Sequence, residues 1–203
     1  MGEEGHTIVQ NVKSRMKVAI TGTIGSGKTE VCNYLRNKGY FVFDSDKCNS
    51  ILLEKGNLGY LSVKEAFPDV FDNDILNKQK LAKNVFSDDT SRKKLEDIMH
   101  PLILKEMLNE ANKYDLFFAE IPLLFEANWD KYFDSTLLIV SDTNISNKRL
   151  LDRGLSQDDI NNRINKQLSI EDKIKRADEI IYNNSSFSSL FEKVDKWLEK
   201  YVR

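Results

Sequence analysis

A chain of 203 residues, 40% hydrophobic and 31% charged, has the length and composition of one globular domain with a sizeable core. The formal net charge of −2 argues against a dedicated nucleic-acid or membrane-surface binder. The two cysteines, Cys32 and Cys48, argue against a disulfide framework or a metal cage and fit a reducing cytoplasm. We expect a cytoplasmic protein, monomeric or weakly self-associating, with no nucleic-acid or membrane partner.

The first fifteen residues, MGEEGHTIVQNVKSR, are followed by a second methionine, Met16, immediately before the first predicted strand. They contain no long apolar run and no small-residue cleavage pattern, so a secretory signal is not expected. We predict that residues 1–15 are a disordered leader, either native or added for expression. No apolar run elsewhere approaches the roughly 20 residues that cross a bilayer.

A strand, a helix and a second strand are predicted at the start of the domain. Residues 17–21 form a short apolar run rich in β-formers, and the apolar spacing over residues 28–38 is helical. Gly39 ends that helix, and residues 40–44 read as the second strand. This βαβ order favours a parallel sheet.

Three more buried strands are predicted, at residues 116–122, 136–140 and 179–182. The segment before them, residues 45–115, looks mostly helical, with helices at 78–86 and 91–113. The second of these helices should be interrupted at His100-Pro101, because proline breaks the helical hydrogen-bond ladder. The segment is too long for a simple crossover, so we expect an inserted helical lobe.

The loop GTIGSGKT, residues 22–29, matches G-x-x-x-x-G-K-[ST] between a predicted strand and a predicted helix, which is the setting that this phosphate-binding motif requires. Glycines let backbone N–H groups curl round an anion at a helix N-terminus. Lys28 can then reach the β and γ phosphates, and the Thr29 hydroxyl can ligate Mg²⁺. The alternative is a glycine-rich turn with a solvated lysine. The predicted nucleotide-binding residues of this loop are Gly22, Thr23, Ile24, Gly25, Ser26, Gly27, Lys28, Thr29 and Glu30.

Two carboxylates, Asp44 and Asp46, follow the second strand, where ligands sit in open α/β sheets. One of them can accept the proton of an attacking hydroxyl or hold a metal ion. The alternative for Asp44 or Ser45 is a helix cap. A GTPase should carry N-K-x-D, and the nearest string, residues 147–150, lacks the aspartate.

Seven short motifs occur in order: GTIGSGKT at 22–29, FDSD at 43–46, VFSD at 85–88, HPLI at 100–103, IPLLFE at 121–126, RGLS at 153–156 and ADEIIYN at 177–183. Together they resemble the dephospho-CoA kinase family over residues 17 to about 201. HPLI and PLLFE are much more specific than the phosphate loop, which many unrelated ATPases share.

The resemblance implies an α/β P-loop kinase fold with a five-stranded parallel sheet flanked by helices. It implies a core of residues 16–48, 114–143 and 177–203, a helical substrate lobe at about 49–113 and a helical lid at about 144–176. It also implies transfer of the γ-phosphoryl group of ATP to the ribose 3′-hydroxyl of dephospho-CoA, with Mg²⁺. Two alternatives stay open: another nucleotide or small-metabolite kinase of this fold, and a nucleotide sensor that transfers no phosphate.

The resemblance further implies roles for single residues. Lys28 and Asp46 are expected to act in catalysis, Asp46 as the base or as the group that orients the hydroxyl. Arg153 is expected to close over the phosphates, although a basic residue on a charged helix can also simply be solvated. The other implied nucleotide contacts are Arg149 and Arg163, the latter paired with Gln167 at i and i+4. The other implied substrate contacts are Asp44, His100, Pro122, Leu123 and Glu126.

Some of these residues could instead have purely structural roles. A lone histidine such as His100 is more often structural than catalytic, and Pro122 and Leu123 are hydrophobic enough to be core. Three features depart from the family pattern. Asn49-Ser50 replaces an alanine-arginine pair, the RGLS motif is one residue short, and Glu120 stands where an aspartate often sits.

Overall fold

The described part of the chain forms seven strands: β1 (Met16–Gly22), β2 (Val42–Asp44), β3 (Phe71–Asp72), β4 (Ile75–Leu76), β5 (Leu116–Glu120), β6 (Ser135–Val140) and β7 (Glu179–Tyr182). Five form a parallel sheet in the order β2-β5-β1-β6-β7, and β3 pairs with β4 in a separate antiparallel hairpin. This computed structural model describes residues 15–202. The leader predicted for residues 1–15 therefore lies outside the described residues, apart from Arg15.

Helices cover both faces of the sheet, as the prediction of an α/β fold requires. They are α1 (Lys28–Asn37), α2 (Ser45–Leu52), α3 (Leu58–Ala66), α4 (Lys78–Ser87), α5 (Asp89–Ala111), α6 (Thr143–Asp152), α7 (Gln157–Ile164), α8 (Ile170–Arg176) and α9 (Phe187–Leu198). In the described part of the chain, no helix is long and apolar enough to cross a membrane. The five-stranded parallel sheet flanked by helices is confirmed.

The central strand, β1, has an apolar run in its middle, as expected of a parallel strand that is covered on both faces. It pairs with β5 on one side and β6 on the other, and Val18, Ala19 and Ile20 have no exposed surface. One face of the sheet packs on α1 and α9, and the other packs on the lobe helices through Ile103 and Met107 of α5. The lobe is therefore built onto the core of the sheet.

The carboxyl ends of β1, β2 and β5 meet at one edge of the sheet, because parallel strands all point the same way. Glu120 at the end of β5 is in register with Asp44 of β2 on one side and with Ile20 of β1 on the other. The phosphate loop, the Asp44–Asp46 segment and the loop after β5 thus surround one place. This is where ligands bind in open α/β sheets.

The predicted interruption of the long helix at His100-Pro101 is wrong. Helix α5 runs continuously over 23 residues with Pro101 inside it. Proline removes one backbone donor, but Met99, Ile103 and Met107 are all buried against the sheet and the neighbouring helices. Tertiary packing on both sides of the proline outweighs the lost hydrogen bond.

The hairpin inside the helical lobe was not predicted. Asn73 and Asp74 connect its two strands with φ angles of 48° and 66°, a backbone state that asparagine and aspartate tolerate better than most residues. Strand β5 also ends at Glu120, two residues before the predicted end at Pro122. That early end lets Ile121 to Glu126 turn across the sheet edge.

Phe118 provides a test of the core. Its ring has no exposed surface and lies 5.8 Å, centroid to centroid, from the Trp197 ring of α9. Replacing it with alanine should lower the free energy of unfolding by about 3–5 kcal/mol and Tm by about 6–20 °C. Phe187, which is 52% exposed, is the matched control, and Phe187→Ala should leave Tm nearly unchanged. Equal Tm values for the two variants would contradict this packing.

Candidate active site

The phosphate loop needs glycine where side chains would collide. Gly27 has a φ of 93°, and a Cβ placed there would lie 2.3 Å from Nδ2 of Asn183. At Gly22, a Cβ would lie 2.7 Å from the Ile139 carbonyl oxygen. Because both positions are glycine, the loop can lie close to β6 and to the residues after β7.

The loop carbonyls that point away from the cleft are hydrogen-bonded from behind. Asn183 is buried, and its Nδ2 donates to the Ser26 carbonyl oxygen at 2.8 Å. Arg149 of α6 donates to the Gly25 carbonyl oxygen at 3.5 Å and to the Asn183 carbonyl oxygen at 3.2 Å. These bonds fix the path of the loop backbone, and a glycine-rich loop of fixed path can present backbone N–H groups to an anion. Arg149, predicted to contact the nucleotide, is therefore held behind the loop and does not line the cleft.

A buried carboxylate, Glu120, organises the polar groups of the loop. Its Oε1 accepts hydrogen bonds from Lys28 Nζ at 2.6 Å and from Thr29 Oγ1 at 2.9 Å. Its Oε2 accepts one from Arg36 Nη2 at 3.2 Å. Burial alone would raise the pKa of Glu120, but Lys28, Thr29 and Arg36 together hold that pKa below its ordinary value. Glu120 therefore stays ionised.

Sequence reasoning treated Glu120 only as a departure from a family pattern. A usable signal was present, because an acidic residue that ends a buried strand in the same sheet as the phosphate-loop strand must lie at the edge where that loop opens. Asn183 was missed in a similar way. It appeared only as the last residue of a family motif, whereas its side chain braces the phosphate loop.

The two aspartates after β2 have different positions. Asp44 is the N-cap of α2, where Oδ1 accepts from Lys47 N at 2.9 Å, so the capping alternative holds for it. Asp46 lines the cleft and is exposed to solvent. Partial desolvation raises the pKa of Asp46; Lys28 opposes that rise, and Asp44 and Glu120 add to it.

The cleft has a volume of about 720 Å³ and joins the phosphate loop to the helical lobe. His100 lines it and makes an edge-on contact with the Trp129 ring, with centroids 5.1 Å apart. Burial lowers the pKa of His100 below its ordinary value, so its imidazole is neutral at pH 7. Pro122 and Leu123 also line the cleft, and Leu123 is 43% exposed, so it is not a core residue.

Residues of α6 and α7, and the segments that follow these two helices in the predicted lid, lie beside the phosphate loop or line the cleft. Arg153 and Arg163 both line the cleft, and Arg153 Nη2 is 4.0 Å from Glu30 Oε1. Gln167 Oε1 accepts from Ile24 N at 3.3 Å, so the lid touches the phosphate loop directly. Gln167 lies beyond the end of α7 at Ile164, so the i, i+4 spacing does not put it on one helix face with Arg163 as predicted.

Glu126 is turned away from the cleft. Its Oε1 accepts from Leu168 N at 2.8 Å and lies 2.8 Å from Lys173 Nζ. Among the predicted substrate contacts, the structure brings Asp46, His100, Pro122 and Leu123 into the cleft lining, whereas Asp44 and Glu126 are outside it.

Comparison with known proteins identifies the family. A family model described as dephospho-CoA kinase matches residues 16–189. The chain belongs to the dephospho-CoA kinase family. A dephospho-CoA kinase of Fusobacterium nucleatum is 36% identical over 195 residues, covering 92% of this chain and 98% of the relative.

Solved structures share the fold of this chain. The crystal structure of TT1252 from Thermus thermophilus superposes with a TM-score of 0.83 and 33% identity, covering 92% of this chain and 97% of that one. A dephospho-CoA kinase from Campylobacter jejuni, at 24% identity and a TM-score of 0.66 over 91% of this chain and 96% of that one, shares the fold.

The family assignment confirms the function that the sequence motifs implied. The chain is a kinase that uses ATP as phosphoryl donor and phosphorylates dephospho-CoA in coenzyme A synthesis. The two alternatives, another small-metabolite kinase and a non-catalytic nucleotide sensor, gain no support.

Asn183 provides a test of the brace behind the phosphate loop. Asn183→Ala leaves the buried Ser26 carbonyl without its donor, at a cost of about 1–3 kcal/mol, and should weaken ATP binding roughly fivefold to a hundredfold. Asn184 is the control, because its side chain bonds the exposed Asp142 and not the loop. Calorimetric titration with ATP should separate the two variants, and equal affinities would contradict the brace.

Proposed function

We propose that this kinase holds ATP on the phosphate loop and presents the ribose 3′-hydroxyl of dephospho-CoA to the γ-phosphate through Asp46. The observation that carries this proposal is that Lys28, at the start of α1 after β1, and Asp46, in α2 after β2, line the same cleft. The ribose oxygen would form a bond to phosphorus while the bond from phosphorus to the β–γ bridging oxygen breaks, and ADP leaves. Such transfer depends mainly on positioning and on charge neutralisation.

Cations on two sides of the cleft suit the donor phosphates. Lys28 and the loop amides approach from the sheet, and Arg153 and Arg163 approach from the lid. Arg153 has only a 4.0 Å contact with Glu30, so its planar guanidinium is available to pair two phosphate oxygens. We propose that these groups stabilise the charge that spreads over the transferring phosphoryl group.

Mg²⁺ fits the residues beside the loop. The Thr29 hydroxyl donates its proton to Glu120, which leaves the Thr29 oxygen lone pairs for a metal ion. The described residues contain no cluster of three carboxylate, histidine or cysteine ligands. This agrees with an ion that takes one or two protein ligands and completes its shell with phosphate oxygens and water. When bound, Mg²⁺ would neutralise charge on the β and γ phosphates.

Asp46 suits the acceptor hydroxyl. Its pKa is raised by partial desolvation, which makes it a better proton acceptor than an ordinary aspartate. The proton of the 3′-hydroxyl would pass to an Asp46 carboxylate oxygen as the new bond forms. Neutral His100, with Pro122 and Leu123, would contact the rest of the acceptor by packing.

The other expected properties remain proposals supported by the sequence. The net charge of −2 favours neither nucleic acid nor an anionic membrane as partner. The two cysteines are free, as they would be in a reducing cytoplasm. We propose a cytoplasmic enzyme that is a monomer or a weak homo-oligomer.

Asp46→Asn tests the catalytic assignment in a coupled assay of coenzyme A formation. The amide cannot accept the proton, so kcat should fall by about 10²–10⁴ while ATP affinity stays close to that of the unchanged protein. Asp44→Asn is the matched comparison, because asparagine caps a helix as well as aspartate does, and it should keep most of the activity. If Asp44→Asn lost more activity than Asp46→Asn, the roles of the two residues would have to be exchanged.

The raised pKa of Asp46 also predicts the acid side of the pH profile. The ionised carboxylate is the active form, so kcat/KM should fall as pH decreases through a value above the ordinary aspartate pKa of about 3.9. The residual activity of Asp46→Asn is the control, because titration of ATP itself affects both proteins equally. A profile with the same acid limb in the variant would rule out Asp46 as the titrating group.

A further inference from the structure

A buried charge pair holds the end of the lid. Lys173 of α8 has no exposed surface, which is rare for a lysine. Its Nζ lies 2.8 Å from Glu126 Oε1, and the Glu126 side chain is only 15% exposed. Because the same oxygen also accepts from Leu168 N, one carboxylate fixes two points of the lid.

Fold stability alone gives little reason for this pair. Removing two charges from water can outweigh their attraction, and apolar residues of similar size often serve a fold equally well. Glu126 Oε2 is buried without a hydrogen-bond partner, and Lys173 Nζ, although 2.8 Å from Glu126 Oε1, makes no well-aligned hydrogen bond, so the pair is not fully satisfied. A pair of this kind is better explained by a requirement on position.

The position that it fixes is next to the phosphate loop. Leu168 directly follows Gln167, whose side chain accepts from Ile24 N of that loop. At the other end of α8, Arg176 donates to the Phe125 carbonyl oxygen at 2.8 Å. The loop after β5 therefore makes hydrogen bonds at both ends of α8. Pro122 and Leu123 of the same loop line the cleft.

We propose that Glu126, paired with Lys173, is a positioning residue that holds Gln167 against the phosphate loop and so keeps the lid closed over the transferring phosphoryl group. Glu126 does this without touching substrate or metal, in place of the contact expected from sequence. The inference rests on the proposed transfer reaction. A closed lid keeps water from the γ-phosphate, so a displaced Gln167 would admit hydrolysis of ATP to ADP and phosphate.

Steady-state kinetics of the full chain can test this role. The variants are Glu126→Ala, Lys173→Met, Gln167→Ala and the double variant Glu126→Ala/Gln167→Ala. The readouts are kcat and KM for dephospho-CoA, phosphate released without acceptor, and Tm. Lys175→Met is the control, because Lys175 makes an exposed ion pair with Asp172 on the same helix.

Each of the three single variants should lower kcat by roughly tenfold to a hundredfold, since small displacements of a closing group have effects of that size. Each should also increase acceptor-independent phosphate release and leave KM for dephospho-CoA nearly unchanged. The double variant should be no slower than the slower single variant, because both changes release the same contact. Lys175→Met should behave as the unchanged protein.

Two results would overturn the proposal. One is a raised KM for dephospho-CoA in Glu126→Ala that Lys173→Met and Gln167→Ala do not share, which would make Glu126 a substrate ligand. The other is additive loss of kcat in the double variant. If Glu126→Ala does not fold, Glu126→Gln takes its place, because it keeps an acceptor for Leu168 N but removes the charge. Unchanged phosphate release in Glu126→Gln would then contradict the proposal.

The unchanged protein keeps these conclusions separate. If it made no coenzyme A from ATP and dephospho-CoA, the proposed transfer reaction would fail. If it made coenzyme A and the variants behaved as the control does, only the positioning role of Glu126 would fail.

Discussion

The contact between Lys28 and Glu120 is the interaction on which the site depends. A lysine in a phosphate loop carries a charge that must be compensated before any nucleotide arrives, and the Glu120 carboxylate does this from 2.6 Å away. Glu120 is itself 5% exposed, so it requires donors of its own. Arg36 and Thr29 supply them, and they can stay on the carboxylate when Lys28 turns to a phosphate. The donor site is thus neutralised both empty and filled.

The same sheet edge places two carboxylates in opposite environments. Glu120 is surrounded by donors, which keep it an anion, whereas Asp46 lies where partial desolvation favours its protonated form. Enzymes assign acid and base roles by separating pKa values in this way. In the proposed mechanism Glu120 holds Lys28 while Asp46 receives a proton, although the two strands concerned, β5 and β2, are neighbours in the sheet.

Much of this arrangement could be predicted from the sequence. Apolar runs specify local structure, so the five strands of the parallel sheet were predicted correctly, and the order of motifs along the chain carried the family resemblance. The misses depend on distant partners. Helix α5 continues through Pro101 because it packs on the sheet, and the hairpin forms because Asn73 and Asp74 adopt positive φ angles. Glu126 turns towards Lys173, which lies 47 residues later in the chain. Roles of single side chains at the cleft were least predictable, because exposed arginines and buried ones look alike in a sequence.

The bond from Asn183 to the Ser26 carbonyl has a consequence for synthesis of the protein. Its two ends are 157 residues apart, so the phosphate loop is made early and its brace is made last. Domains are synthesised from the N-terminus, and a nascent chain that contains the loop and α1 still lacks β7. On this view the growing chain gains its full affinity for ATP only when the last strand joins the sheet, so that tight nucleotide binding reports that the sheet is complete.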